Sequence, residues 1–157
     1  MAAKPVLVDT NLAILLAVGL AGTELIARHK NLRVYDESDF AILVAVLAEA
    51  SQIVFTPHTL TETSNLMRQI AEPVRSRLSR SLASLIETTE ERFVEGDTAI
   101  RRAEYDRLGL TDSALLSLAE TGAVLLTDDL HLYLAAAGAG YGTVNFSHLR
   151  EARPDFR

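Results

Sequence analysis

Three short apolar runs, Val6-Leu7-Val8, Ile53-Val54-Phe55 and Val124-Leu125-Leu126, are each followed at once by polar residues that start helices. Unbroken apolar runs of this length read as strands buried on both faces. After the first run, Thr10 or Asn11 is expected to cap a helix to about Val18, broken by Gly19 and Gly22. After the second, Thr56-Pro57 places proline at the first helical position of a segment that carries Leu60, Met67 and Ile70 and ends near Ala71. After the third, Thr127-Asp128-Asp129 precedes a helix from Leu130 to Ala137. Buried strands alternating with helices require crossover connections. They predict a three-layer α/β/α fold with a short, mainly parallel central sheet of about four to five strands.

The rest of the chain fits that alternation. A helix is expected over Glu24 to Lys30, and Ser38 would cap Asp39 to Ala50, which is apolar almost all round and so expected to be well buried. Val74 to Glu87 carries Leu78, Leu82, Leu85 and Ile86 on one side. Arg92-Phe93-Val94 reads as a short strand stopped at Gly96; Asp97 then caps a helix to Leu108 that Gly109 closes. Thr111 would cap Asp112 to Thr121, Gly142 to Asn145 forms a last strand, and Ser147 caps a short terminal helix. With 157 residues, 48% of them hydrophobic, and no linker or repeat, one domain over residues 1–157 is expected.

Composition removes several chemistries. There is no cysteine, hence no disulfide, thiol nucleophile or thiolate metal site. The longest apolar stretch, Leu12 to Ala21, is shorter than the ~20 residues that span a bilayer and lacks a basic leader, so a soluble, cytoplasmic protein is expected. Lys4 and Lys30 are the only lysines; the other thirteen basic residues are arginines. The net charge of -6 makes a poor global attractant for nucleic acid.

In an open parallel sheet, ligands bind beyond the carboxyl ends of the strands. Asp9 follows the first strand, and Asp128 and Asp129 follow a later one. Asp112 lies in the first turn of its helix, and Glu62 lies near the start of a helix that follows a strand. Acids from distant parts of the chain are therefore expected at one sheet edge. Each alone is an ordinary turn or helix-start residue; the shared edge is what marks them. Two carboxylates ~4 Å apart repel by roughly 4 kcal/mol at an effective dielectric near 20. Either a pKa rises or a cation binds. All-oxygen ligation with no thiolates favours Mg²⁺ or Mn²⁺, and such ions can activate water for phosphodiester hydrolysis.

The motifs VLVDTNL, TLTETSNL, GLTDSALLSLAE and VLLTDDLHL, in this order from about Val6 to Phe146, resemble those of the PIN-domain family of metal-dependent nucleases. The resemblance implies that Asp9, Glu62, Asp112 and Asp129 are the metal-binding and catalytic acids, holding one or two Mg²⁺ or Mn²⁺ ions. Thr127 matches the hydroxyl partner of the fourth acid, and Asn11 falls where the family often has a small polar residue. Asp128 is then a helix cap or an outer group beside the metal acids. Implied with these are endoribonuclease activity on RNA, a VapC-type toxin role with a cognate antitoxin, and a homodimer. Extra length around Ala21 to Ser51 and scarce basic residues depart from a minimal toxin.

Arg68, Arg75, Arg77 and Arg80 are candidates to track an RNA backbone, as are Arg101, Arg102 and Arg107, against the plainer reading of a solvated helix face. His58 and His131 read as ordinary helix-start residues, and the few aromatics offer no base-stacking platform. A receiver domain would need a late lysine, a haloacid-dehalogenase-type phosphatase a second Asp at Asn11, and an NTPase a P-loop; none is present. The rival reading is a catalytically inactive PIN-fold scaffold that binds protein or RNA.

Overall fold

Side chains alternate along each short strand, and this alternation divides the interior in two. In the computed structural model, which describes residues 3–156, the elements run β1 (Pro5–Val8), α1 (Thr10–Ala21), two 3-10 turns (Thr23–Arg28, Lys30–Leu32), α2 (Glu37–Ala48), β2 (Gln52–Phe55), α3 (Pro57–Met67), α4 (Val74–Thr88), β3 (Glu90–Glu91), α5 (Gly96–Ile100), α6 (Tyr105–Leu108), α7 (Leu110–Glu120), β4 (Val124–Thr127), α8 (Leu130–Gly138), β5 (Thr143–Asn145) and α9 (Phe146–Glu151). The strands form one parallel sheet in the order β3-β2-β1-β4-β5. Val8, Phe55 and Leu126 pack on one face with α1 to α4 and Phe146 of α9. Leu7, Val54 and Leu125 point to the other face, against α7 and α8. This is the expected three-layer α/β/α arrangement, with five strands.

The all-apolar helix that is buried nearly all round is α1, not α2. Every residue from Leu12 to Gly19 is buried, because α1 lies between the sheet and the outer helices α2, α3 and α4. Helix α2 buries Leu43, Leu47 and Asp39, whereas Val44 on its outer side is 41% exposed. Gly19 does not break α1, which continues to Ala21 and ends at Gly22. Its missing side chain admits the Phe40 ring of α2: a Cβ at position 19 would lie 2.2 Å from that ring.

Other boundaries differ because tertiary partners override local signals. The third strand is Glu90–Glu91 rather than Arg92 to Val94, since it is Glu90 and Glu91 that register against Val54 and Phe55 of β2, and Phe93 stands 72% exposed. The helix expected over Asp97 to Leu108 is split into α5 and α6, where the guanidinium of Arg102 is drawn to Glu104, Glu120 and Tyr141. Helix α2 is capped by Asp36, not Ser38. Asp36 accepts from the Asp39 amide and the Asp39 carboxylate accepts from the Asp36 amide, a reciprocal capping box. The Glu24 to Lys30 segment forms 3-10 turns, and Asn145, not Ser147, caps α9.

The C-terminal helix is tied to that capping box. Arg153 donates to Asp36 at 2.8 Å and to Asp39 at 2.6 Å, while Arg150 lies 3.0 Å from Asp39, whose side chain is 1% exposed. A buried carboxylate deprived of its cation strongly destabilises a fold. Replacing both arginines with glutamine is therefore expected to lower the melting temperature by more than the sum of the single variants, because either one alone leaves Asp39 a partner. For Gly19→Ala, overpacking against Phe40 is expected to cost about 1–3 kcal/mol in denaturant unfolding, most of it recovered in Gly19→Ala/Phe40→Leu.

Candidate functional site

The strand order reverses beside β1. The connection from β1 to β2 runs along one face with α1 and α2, and the connection from β3 to β4 returns on the other face with α5, α6 and α7. At such a switch point the helices on the two faces start on either side of one crevice. The N-termini of α1 and α7 therefore flank the carboxyl ends of β1 and β4, and the acids of the sequence motifs gather there.

Asp9, 6% exposed, is the most constrained of them. One carboxylate oxygen accepts from the Thr10 amide at 2.7 Å, making Asp9 the cap of α1 in place of Thr10 or Asn11. The other accepts from the Thr127 hydroxyl at 2.6 Å, across the β1–β4 pairing. Burial pushes the Asp9 carboxyl up to about 6; the bonds from Thr127 and Thr10 pull it down, and the charges of Asp128 and Asp129 push it further up.

Glu62 lies in the second turn of α3 and joins the two faces. It accepts from the Thr10 hydroxyl of α1 at 3.1 Å and from the Thr111 hydroxyl of α7 at 2.9 Å. Thr111 is thus inside α7, held to Glu62, rather than its cap, and Gly109 with a φ of 88° makes the turn into that helix. Asp112, one residue on, is pushed up to about 7, by burial first and then by the charges of Asp9, Asp129 and Glu62. Four acids that are far apart in sequence therefore act on one another at this edge.

The two adjacent aspartates separate in role. Asp129, not Asp128, caps α8: it accepts from the Leu132 amide at 3.0 Å, while its own amide donates to the Thr127 hydroxyl at 3.0 Å. Asp129 also faces the other acids, raising both Asp9 and Asp112. Asp128 leaves its Oδ1 buried without a hydrogen-bond partner among the described residues. Burial raises its pKa, against the pull of the Asn11 side chain and the Arg150 charge. Arg150 is a site neighbour that sequence reading missed. The available signal was that α9 begins where β5 ends, at this same sheet edge.

The candidate RNA-tracking arginines lie elsewhere. Arg77 donates to the carbonyl of Ala21, the last residue of α1, which is about 16 Å along the helix from Thr10. Arg75 binds the carbonyls of Arg68 and Ile70, and Arg68 binds Ser79 beyond the end of α3. Arg80 lines a groove with Leu20 and Ala21 at that same far end. Arg102 is held in its own ion-pair cluster, and Arg101 pairs with Asp97. Arg107 is exposed on α6, and His131 is exposed on α8. His58 lines a cleft of about 290 Å³ with Pro57, Thr61, Glu62 and Thr111.

The donor set, carboxylates and hydroxyls with no thiolate, suits a hard divalent cation. Among the described residues, no three acids or imidazoles stand close enough as placed to hold one ion between them. The acids converge without forming a closed ligand set; Glu62 is exposed, and Asp112 and Asp129 are half-buried.

Neither a protein-family model nor a curated protein matches the chain. Among solved structures, it is similar to a domain of a functionally unknown protein from Methanocaldococcus jannaschii DSM 2661. The two are 22% identical over 91% of each chain, with a TM-score of 0.46. That likeness assigns no activity.

The raised carboxyls make stability depend on pH with a definite sign. Unfolded, Asp112 loses its proton near the ordinary value of about 4; folded, it holds the proton to about 7. Stability therefore falls as pH rises between those values, and the loss is complete above them. Asp112→Asn is expected to raise metal-free stability by roughly 1–2 kcal/mol at pH 8, after allowance for its partial exposure, and to change little at pH 4. Thermal unfolding in chelator at the two pH values measures this.

Proposed function

We propose that this protein is a PIN-domain-like, metal-dependent endoribonuclease that hydrolyses RNA phosphodiester bonds at the β1–β4 edge. The observation that supports it most is Asp112. It sits half-buried among Asp9, Asp129 and Glu62, with its carboxyl pushed up to about 7, and among the described residues no lysine or arginine forms an ion pair with any of the four. Mutual repulsion of this kind works against folding unless a cation is bound. Asp9, Glu62, Asp112 and Asp129 would hold one or two Mg²⁺ or Mn²⁺ ions, which would supply activated water and neutralise phosphate charge.

The chain's own groups prepare that edge. Thr127 and the Thr10 amide fix both oxygens of Asp9, so it cannot turn away from the crevice. Thr10 and Thr111 hold Glu62 from two helices, setting the width of the opening. Burial and the neighbouring acids let Asp112 hold a proton up to about pH 7, and a bound cation would favour its carboxylate form. Asn11 and Asp128 stand beside these groups, with Arg150 offsetting part of the Asp128 charge.

The motif resemblance extends the proposal to the toxin of a toxin–antitoxin pair, with an RNA substrate, a cognate antitoxin, a homodimeric state and a cytoplasmic location. No helix among the described residues is long and apolar enough to cross a membrane. A second reading, a non-cleaving PIN-fold scaffold for protein or RNA, draws on the acids not forming a closed ligand set as placed.

Incubating purified protein with labelled single-stranded RNA and Mn²⁺ or Mg²⁺, with and without chelator, separates the two. The nuclease reading expects chelator-sensitive cleavage, reduced about a hundred-fold or more in Asp9→Asn and Asp112→Asn although both remain folded. Absent or chelator-insensitive cleavage by the wild type favours the scaffold. Unfolding of both variants would make the acids structural.

A further inference from the structure

Apolar side chains are left open in two places that match in shape and charge. The first is a groove at the end of α1 remote from the acid edge. One part, about 550 Å³, is lined by Leu20, Leu85 and Thr88 together with Arg77 and Arg80. The adjoining part, about 330 Å³, shares the same first three residues and adds Val44 and Leu47 of α2. The floor is therefore apolar and one mouth is cationic. Leu20 is 55% exposed there. Arg80 forms no ion pair among the described residues, and Arg77 reaches Glu24 only at 3.7 Å.

The second is the segment that contains and follows β3. From Glu90 to Glu95 the chain is non-helical and its side chains alternate: Glu90, Arg92 and Val94 are partly or fully buried, while Glu91, Phe93 and Glu95 are exposed. Phe93, at 72%, is the most exposed large apolar side chain among the described residues. Arg92 is committed to Glu90 at 3.0 Å, and Glu91 and Glu95 form no ion pair among the described residues. The outward row is thus acid, aromatic, acid. Registry of β3 against Val54 and Phe55 of β2 holds that row outside the groove of its own chain.

We propose that a second copy of this chain fills the groove: Phe93 of each copy inserts over Leu20 of the other, and Glu91 and Glu95 meet the mouth formed by Arg77 and Arg80. Two chains of net charge -6 repel one another on average, so a contact between copies needs opposed local charges. The arginine mouth against the acid-flanked ring provides them. Reciprocity follows from the topology. β3 is the last strand on its side of the sheet, Thr89 lines the groove, and Phe93 lies four residues on, within ~14 Å along the chain. A two-fold axis beside β3 runs the two Thr89–Phe93 segments antiparallel. Each Phe93 then arrives at the groove end of the other copy, and the assembly closes at two. Glutamates on a two-residue edge strand oppose strand-to-strand addition, so side chains make the contact. This interface lies away from the acid edge and stands whether or not RNA is cleaved there.

Sedimentation velocity of the full chain in chelator, over roughly 1–200 µM, tests this in the range of small, transient interfaces. The wild type is expected to form a dimer that weakens as salt is raised. Phe93→Ala and Leu20→Gln should each weaken association about ten-fold or more. Mixed one to one, these two variants should associate again at intermediate strength, because an intact Phe93 on one meets an intact groove on the other. Arg80→Glu should dissociate the dimer, and Arg80→Glu/Glu91→Arg/Glu95→Arg should recover it. All of these side chains are exposed, so circular dichroism and melting temperature should match the wild type. A wild type that stays monomeric throughout the range, or a dimer indifferent to Phe93→Ala and Leu20→Gln, overturns the proposal. So does a mixture that fails to associate, since two copies of one self-matching face would then explain the dimer in place of ring and groove.

Discussion

One buried carboxylate joins the halves of this molecule. Asp9 ends β1, caps α1 through the Thr10 amide, and accepts a short bond from Thr127 at the end of β4, 118 residues away in sequence. Its own amide donates to Leu126, completing the β1–β4 pairing. The central helix and the two central strands thus meet at a charge that has lost most of its water. Hydrogen bonds to it offset part of the desolvation cost, and the rest shows as a pKa raised to about 6.

That constraint explains why the edge is electrostatically unsettled. Among the described residues, the side-chain hydrogen bonds that tie α3 to α1 and to α7 there both go to a further carboxylate, Glu62, instead of a cation. Adding Asp112 and Asp129 raises the repulsion further, and Asp112 carries the largest shift. Stability is instead drawn from the interior and from a clamp beside that edge. Eight consecutive buried residues of α1 and the arginine-clamped capping box of α2 hold the fold while the acid edge remains under strain. Separation of a stable core from a destabilised rim is the usual physical layout of a binding or catalytic site.

Much of this was legible in the chain. The apolar runs around Leu7, Val54 and Leu125 located three of the five strands, since only buried parallel strands sustain such runs between helical segments. The acids followed from them, because a residue directly after a parallel strand must lie at the ligand edge. Legibility failed where neighbours decide. Gly19 reads as a helix breaker until the Phe40 ring is seen against it, and Asp36 takes a cap from Ser38 because Asp39 and Arg153 complete its hydrogen bonds. The arginines Arg68, Arg75 and Arg77 look like a phosphate path in sequence, yet their donors are committed to backbone carbonyls and Ser79 at the far end of α1 and α3.

Read alone, the chain dictates the layer order, the parallel sheet and the edge to which its acids are delivered, because these follow from periodicity and from the fixed geometry of strand–helix crossovers. It does not dictate which partner each acid finds. That Asp129 caps α8 while Asp128 buries an unpaired oxygen, that Glu62 bridges two helix starts, and that His58 turns one nitrogen inward beside an apolar cleft are decided by packing. Such contacts depend on burial and on angles between elements from different parts of the chain. No local sequence signal encodes those angles, so they exist only once the two faces of the sheet have closed around Asp9.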